Sequence, residues 1–476
     1  MLKLGEKEKG RMMNQKKVFS QVYRTGQEFA SSTLHSPLRS SSQKPQNSNK
    51  ISIILCEYLL SMEEEGEIKK DQMIVVEGSK IHSVGPIPES LPQAEEVIRL
   101  NNHLVCPGLI NTHTHLPMVL FRGLGDHLTL KSWLEDIIFP LEKKMVNPDF
   151  IRLGTELALL ELIKSGVTSV CDMYFHTPVM AEVFESYGLR GVLAVDMLSS
   201  FSDWKEDLDY LCDRYKGNNQ LVYPAIACHA PYTCSAELLK MSAQEARDRK
   251  LPVAIHVAET QWEISEIKKR YGKTPVAHLK DCGIIGPHCV FVHCVHVNET
   301  DMDIMVETGT PLSYNPESNM KLGSGTAPIL RALEKGITIG MGTDGAASNN
   351  NLNLFTEMDT GAKLQKLSHP SKTISARDIF SMVTSSAAKV LGLSHCIGKI
   401  QAGFFADIMA LNLDHPHLYP RNDLLNHLVY SASGGEVDFV MCHGKVLMKE
   451  SEIQGVDMFR VYASAEMIKE KIKQAL

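Results

Sequence analysis

Pro107-Gly108-Leu109-Ile110-Asn111-Thr112-His113-Thr114-His115 is the stretch on which the reading of the fold turns. An apolar run over residues 104–110 leads into two histidines one residue apart. In a strand, side chains alternate with period two, so His113 and His115 project to the same side at the strand's C-terminal end. Neutral imidazole suits zinc and related ions, which makes the pair half of a metal site. A His-x-His motif on its own also describes two unrelated core or surface histidines. The rest of the chain decides between the two.

Working outward, residues 104 to 345 repeat a pattern of strand, loop and helix. Strands are expected at 104–112, 167–173, 191–196, 221–228, 252–257, 289–294, 310–314 and 337–342. Most are runs rich in Val and Ile, as strands covered on both faces should be. Helices fall between them. One spans 150–164 with Gly166 as its stop, and another spans 235–249 with Ser235 as a possible N-cap. Eight alternating units give an α/β fold, a (β/α)8 TIM barrel. Chemistry in such barrels sits at the C-terminal strand ends. Those ends carry His113 and His115, then His229, then His256 with Glu259, then His293 with His296, and finally Asp344.

Shorter strands flank the barrel. Residues 51–60, 72–76, 80–84 and 97–100 precede it, and 404–411, 437–441 and 445–448 follow it. They read as two halves of one small β-sandwich built from both chain ends. The expected organisation is a disordered extension over 1–50, sandwich halves over 51–103 and 396–450, the barrel over 104–395, and a helical tail over 451–476.

Charge and composition narrow the function. Residues 1–50 hold 10 lysines and arginines against 3 acidic residues, and the remainder holds 39 against 53, a body charge of −14. An acidic body argues against nucleic acid as the main partner. The 11 scattered cysteines include no Cys-x-x-Cys pair, which fits a reduced, cytoplasmic chain. No apolar run approaches the roughly 18 residues that a membrane span needs. The basic, serine-containing extension also allows mitochondrial targeting, although Glu6, Glu8 and its clustered lysines fit a presequence poorly.

The strand-end residues allow a definite chemistry. His113, His115, His256 and Asp344 would hold one zinc-like ion with a position open for water, whose pKa the ion lowers. Asp344 would also accept a proton from that water. Glu259 has two readings, a helix N-terminal carboxylate and a proton shuttle that protonates a ring nitrogen. His293 would orient the water or the tetrahedral oxygen. His296 reads as structural, and His103, His127, His176 and His288 as ordinary loop histidines.

These residues carry a resemblance. Residues 107–115, 256–259, 293–296, 315–323 and 342–350 look like five ordered motifs of the amidohydrolase superfamily. Within it they are similar to the branch of 5-methylthioadenosine/S-adenosylhomocysteine deaminases and triazine hydrolases, over roughly residues 51–450. The resemblance implies a single metal, usually zinc and otherwise iron or another divalent ion, and hydrolytic loss of an amino group from an aromatic ring. It implies His113, His115, His256 and Asp344 as ligands, Glu259 as shuttle, and His293 and Asp344 on the water. Glu142 matches a ribose-contacting glutamate and His229 a substrate-contacting histidine. Small-molecule substrates and a homo-oligomer are further implications.

Two departures are specific to this chain. The fourth barrel strand ends in His229, and residues 217–239 contain no lysine of the kind binuclear members modify, so one metal is favoured. Val195 and Trp204 stand where the branch commonly has two arginines that reach the substrate's tail. The leading expectation is an adenine nucleoside such as 5-methylthioadenosine, S-adenosylhomocysteine or adenosine, or a related N-heterocycle, and the two departures make room for a substrate smaller or less charged than S-adenosylhomocysteine. Removal of a ring halide or an amide is the enzymatic alternative. A scaffold without activity is the alternative of another class, and it would require gaps among His113, His115, His256, Glu259 and Asp344, where there are none.

Overall fold

The run from residue 104 to His115 does not form one strand. In the computed structural model, which describes residues 50–476 except 64–66, 127, 199–202, 216 and 218–220, it divides at Gly108. The first part ends a strand of one sheet and the second begins the barrel. The cause is a close approach: a Cβ at position 108 would lie 2.2 Å from Thr168 Cγ2. The Gly108 N–H turns instead to the carbonyl of Asp407 at 2.9 Å. The barrel thus begins at Leu109 rather than residue 104. The expected disorder of residues 1–50 falls, apart from Lys50, outside the described residues.

Sixteen strands follow in chain order among the described residues. They are β1 (Ile51–Leu60), β2 (Ile68–Glu77), β3 (Lys80–Pro86), β4 (Glu96–Pro107), β5 (Leu109–Thr114), β6 (Val167–Tyr174), β7 (Arg190–Asp196) and β8 (Val222–Cys228), followed by β9 (Val253–Val257), β10 (Cys289–His293), β11 (Leu312–Tyr314), β12 (Ile339–Met341), β13 (Ile408–Asn412), β14 (Val437–Cys442), β15 (Lys445–Lys449) and β16 (Glu452–Ile453). Strands β5 to β12 form a parallel sheet in sequential order, with helices between them. This is the expected (β/α)8 architecture.

Its closure is made at the end that matters. Between β5 and β12 the Ile110 N–H donates to Val383 O at 2.8 Å, and the Met341 N–H to Met382 O at 2.8 Å. Beyond them the two strands meet directly. The Asp344 N–H donates to His113 O at 3.0 Å, and Asn111 and Thr343 exchange side-chain and backbone hydrogen bonds at 2.8 and 3.1 Å. The first and last barrel strands therefore deliver His113 and Asp344 to the same place.

Strand alternation sorts the barrel's side chains into two cores. Ile110, Met173, Val192, Ala194, Ala225, Ala227, Ala254, Val290 and Val292 fill the interior. Small residues dominate because eight strands leave an interior only just wide enough for side chains. Leu193, Val195, Ile226, Ile255 and Phe291 face outward into the larger core under the helices. One of those helices, Pro148–Lys164, starts at Asn147, whose side chain accepts from the Asp149 and Phe150 N–H groups. It stops at Gly166, whose φ of 81° is costly for any residue with a Cβ. The helix Ala236–Arg249 is capped by Ser235, which accepts from the Leu238 N–H.

The strands of both chain ends form a second eight-stranded sheet, ordered β16-β15-β14-β13-β4-β1-β2-β3. The β3 edge turns back onto residues 403–406 through Ile81–Phe404 and Ala406–Ser79 hydrogen bonds, both 2.9 Å. The enclosed core mixes both ends, with Ile54, Ile74 and Ile98 against Ile408, Phe439 and Met441. A buried ion pair ties this sheet to the barrel. Arg190, at the start of β7, donates to both Asp407 oxygens at 3.1 Å, and its guanidinium lies 4.5 Å from the Phe405 ring centroid. Among the described residues no helix is long and apolar enough to cross a membrane.

Candidate metal centre and active site

The C-terminal ends of the barrel strands bring together the metal-site residues expected from the sequence, and Glu142 reaches the same cavity from the helix Phe139–Met145. His113 lies on β5 and His115 immediately after its end, His256 lies on β9, His293 ends β10 and Asp344 follows β12. Their ring centroids lie 4.7 Å apart for His113–His115, 5.0 Å for His113–His256 and 5.3 Å for His115–His256. His113 Nε2 is 3.3 Å from His256 Nε2 and 3.4 Å from Asp344 Oδ1, which is itself 3.3 Å from His115 Nε2. Two overlapping triads result, His113–His115–Asp344 and His113–His256–His293, sharing His113.

The protons of this cluster can be assigned from its outer contacts. His115 Nδ1 lies 2.6 Å from Met173 O, and His256 Nδ1 lies 2.7 Å from His229 O. A carbonyl only accepts, so both Nδ1 atoms carry the hydrogen and both Nε2 atoms present lone pairs. Those lone pairs point into the cluster, that of His115 toward the Asp344 carboxylate and that of His256 toward His113 Nε2. Such a set of acceptors needs a cation. Ligands at roughly 2.0–2.1 Å from a tetrahedral zinc stand about 3.3 Å apart, which the three measured separations match. The residues fit a zinc-like ion. His293 is the ring furthest from His113, at 5.7 Å, and its Nε2 turns toward Glu259 Oε2 at 3.8 Å.

Backbone strain marks the same rim. Ala258, His293, Cys294 and Asp344 all have positive φ, between 51° and 71°. Such conformations cost of order 1–3 kcal/mol each and persist where surrounding contacts enforce them. Those contacts are visible. Asp344 accepts from the Gly345 N–H at 2.7 Å and the Ser318 hydroxyl at 2.6 Å. His293 Nδ1 is 2.9 Å from Asn319 Oδ1. Ser324 donates to Glu259 Oε1 at 3.2 Å, and His296, held to the Ser324 carbonyl at 2.8 Å, is a structural brace. The 315–323 motif and the residue after it thus steady three rim side chains.

Glu263 is a site residue that sequence reading missed. It is fully buried in the first turn of the helix Gln261–Tyr271, and its two oxygens accept the Ala258 and Glu259 N–H groups at 2.8 and 3.0 Å. Burial pushes its carboxyl up to about 8 despite those donors. A first-turn glutamate is ordinary in any helix, so its spacing carried no signal. Asp172 was missed too. It accepts from Thr114 Oγ1 at 2.8 Å and the Leu116 N–H at 2.6 Å, bracing both neighbours of His115.

A cavity opens over the cluster and encloses about 810 Å³ including its mouth. Its floor is His115, His256, His293, Glu259 and Asp344, and His113 lies buried behind them. One wall is apolar, from Trp133, Leu134, Ile138, Phe139 and Phe175. Glu142, Asp196 and His229 supply polar groups. Glu142 accepts the Tyr174 hydroxyl at 2.7 Å, and burial pushes its carboxyl up to about 7. His229 Nδ1 meets Thr233 Oγ1 at 2.9 Å, and that hydroxyl already donates to Ala230 O. His229 must therefore donate, which leaves its Nε2 as an acceptor. Burial also drives Glu259 above the usual carboxylate range.

Val195 and Trp204 do not line this cavity. Val195 lies on the outward face of β7 in the helix-covered core, and Trp204 opens the helix Trp204–Arg214 and packs against that core. The cavity residue at the end of β7 is Asp196. Alternation explains it: Val192, Ala194 and Asp196 share the inward side.

The model of the amidohydrolase family matches residues 104–447. A Desulfitobacterium hafniense protein named 5-methylthioadenosine/S-adenosylhomocysteine deaminase is 41% identical over 418 residues, 87% of this chain and 95% of its own. A Methanothermobacter thermautotrophicus protein named 5′-deoxyadenosine deaminase is 41% identical over 380 residues, 78% of this chain and 88% of its own. The zinc-bound structure of an adenosine deaminase from Xanthomonas campestris superposes with a TM-score of 0.87 at 28% identity, covering 90% of this chain and 99% of that one.

Proposed function

The chain belongs to the amidohydrolase family, and from that premise we propose that it is a zinc-dependent deaminase that removes the exocyclic amino group of an adenine nucleoside as ammonia. The observation that carries this reading is the convergence of three imidazole Nε2 atoms and a carboxylate, with neighbouring separations of 3.3–3.4 Å along His256–His113–Asp344–His115, and the buried carboxyl of Glu259 near them. His113, His115, His256 and Asp344 would hold one ion per chain. A zinc ion held there supplies Lewis acidity, which lets a water ionise near neutral pH.

The chain's own groups do the rest. Asp344 takes one proton from the attacking water and passes it to the amino group, which leaves as ammonia. Glu259, whose hold on its proton burial strengthens, gives that proton to the ring nitrogen beside the reacting carbon. It recovers a proton from the new hydroxyl as that carbon becomes a carbonyl. The water oxygen ends on carbon, the carbon–nitrogen bond is broken, and all protons are accounted for. His293, donating Nδ1–H to Asn319, offers Nε2 to orient the water. Glu142, anchored by Tyr174, presents an oxygen to the ribose hydroxyls, and the His229 Nε2 acceptor faces the substrate. A poor leaving group such as an amine needs this proton delivery and a ring halide does not, which favours deamination. The reading includes a homo-oligomer, supported by the family resemblance, and a reducing cytoplasmic location, supported by eleven unpaired cysteines.

The test is ammonia release from adenosine, 5′-deoxyadenosine and 5-methylthioadenosine by purified chain of measured metal content. The expected result is turnover with about one zinc per chain. Stoichiometric metal with no ammonia from any adenine nucleoside would sink the reading.

A further inference from the structure

Glu259 reaches the cavity through a break in strand parity. β9 ends at Val257. Had the strand continued, His256 and Ala258 would share a face, and Glu259 would point the other way. Instead His256 and Glu259 both line the cavity, and Ala258 packs into the larger core outside the barrel. The turn is made at Ala258, whose φ is 52°. A residue with a Cβ holds that conformation only where its surroundings enforce it. Both sides of the turn are enforced. The His296 N–H donates to Ala258 O at 2.8 Å. The two oxygens of Glu263 accept the Ala258 and Glu259 N–H groups at 2.8 and 3.0 Å. Glu263 itself is fully buried and does not line the cavity.

Spacing alone gives Glu263 another task. Thr260-Gln261-Trp262-Glu263 spells a capping box, in which the N-cap side chain accepts the N–H of the third helical residue and that residue's carboxyl takes the N-cap N–H in return. The first half is made, since Thr260 Oγ1 accepts the Glu263 N–H at 3.2 Å. The second half is replaced by the reach to Ala258 and Glu259. The helices Glu299–Thr308 and Ala376–Ser381 show the ordinary form, with aspartate at the same position. Asp301 accepts the Asn298 N–H at 3.2 Å, and Asp378 the Ser375 N–H at 3.3 Å. The extra methylene of glutamate carries its carboxyl past the N-cap to the two residues before it.

We propose that Glu263 is a positioning residue for deamination, which fixes the turn at Ala258 and so aims Glu259 into the cavity without touching the substrate. This rests on the deaminase reading, in which Glu259 moves the proton. The side chain of Glu259 is steadied at its tip by the Ser324 hydroxyl at 3.2 Å, and its backbone by Glu263. A reacting group displaced by about 1 Å loses up to about a hundredfold in rate. Release of the clamp therefore acts on kcat, while His256, held through its own Nδ1–H to His229 O, keeps its place in the metal cluster.

The experiment compares the parent with E263D, E263Q, E259Q and E259Q/E263Q in steady-state kinetics on 5′-deoxyadenosine, with zinc content measured for each. E263D allows the ordinary capping box, so the helix start is kept and the clamp on Ala258 and Glu259 is lost. It is expected to hold about one zinc per chain and to lose about ten- to hundredfold in kcat, with KM within about twofold of the parent's. E263Q keeps the side-chain volume and one acceptor, and is expected between E263D and the parent. With Glu259 already replaced, the clamp has no shuttle to aim, so E259Q/E263Q is expected to turn over at the E259Q rate. Parental kcat in E263D would make Glu263 a helix cap alone and overturn the proposal. Loss of zinc from E263Q would overturn it too, as would a double variant slower than E259Q by the whole E263Q factor. Each of these leaves the deaminase reading standing. E259Q working at the parental rate removes the shuttle and the positioning role together, and no ammonia from the parent defeats the deaminase reading itself.

Discussion

The two ends of the barrel both bury charge, and they do it in opposite ways. At the lower end Arg190, fully buried, meets Asp407 through two hydrogen bonds of 3.1 Å. Asp407 Oδ1 also accepts the His443 N–H at 2.8 Å. Each group there has its opposite, and the cluster is complete. At the upper end His115 Nε2 turns an acceptor toward the Asp344 carboxylate and His256 Nε2 turns one toward His113, whose Nδ1 has no hydrogen-bond partner among the described residues. A buried polar cluster that satisfies itself ties structure together. One that leaves acceptors facing acceptors awaits a ligand.

The sharpest way to break this contrast is His256→Ala. It should empty the upper cluster of metal and lower kcat by about three orders of magnitude or more. Metal analysis alongside ammonia release checks it, and undiminished zinc would remove His256 from the ligand set. Glu259→Gln comes next. It should keep the metal and lose roughly 10²–10⁴ of kcat, the usual worth of a general acid–base group. Deamination at the unaltered rate would leave Glu259 as a helix-end carboxylate.

The lower end should respond in stability. Arg190→Met strands the Asp407 charge and should cost about 3–5 kcal/mol in denaturant unfolding. Adding Asp407→Leu should restore part of the loss, though the His443 N–H then lacks its acceptor. Equal stability of Arg190→Met and the parent would show that the pair is not the tie described above.

The smallest effect is a slope. Glu263 ordinarily titrates near 4.5 and is pushed up to about 8 in the fold by burial. A carboxyl with a raised folded pKa holds its proton more tightly in the native chain than in the unfolded one. Its contribution is complete below about pH 4.5 and fades as pH rises to about 8. Stability should therefore decline across that window, and Glu263→Gln should flatten the decline. An unaltered slope would place the titration elsewhere.

Residue by residue, legibility followed the range of the interaction. His113, His115, His256 and Asp344 could be found because each sits where an apolar run ends, and barrel strands carry their chemistry at that end. Glu263, Ser318, Ser324 and Asp172 could not, because first-turn carboxylates and scattered hydroxyls occur everywhere. Only their contacts across 4 to 65 residues distinguish them. Val195 illustrates a different limit. Counting along the chain placed it at the substrate, yet strand parity turns it outward and brings Asp196 in. A shift of one residue reverses the face, and parity is fixed by packing.

The sequence by itself determined the eight βα units and the strand-end histidines and carboxylates, because periodicity and apolar runs are local properties of the chain. The tertiary structure alone decided that β4 and β5 part at Gly108, that Asp344 closes onto His113 across 230 intervening positions, and that the lone pairs of His115 and His256 face inward. Distances and proton positions depend on which distant backbone carbonyl lies behind each ring, and no spacing along the chain encodes that.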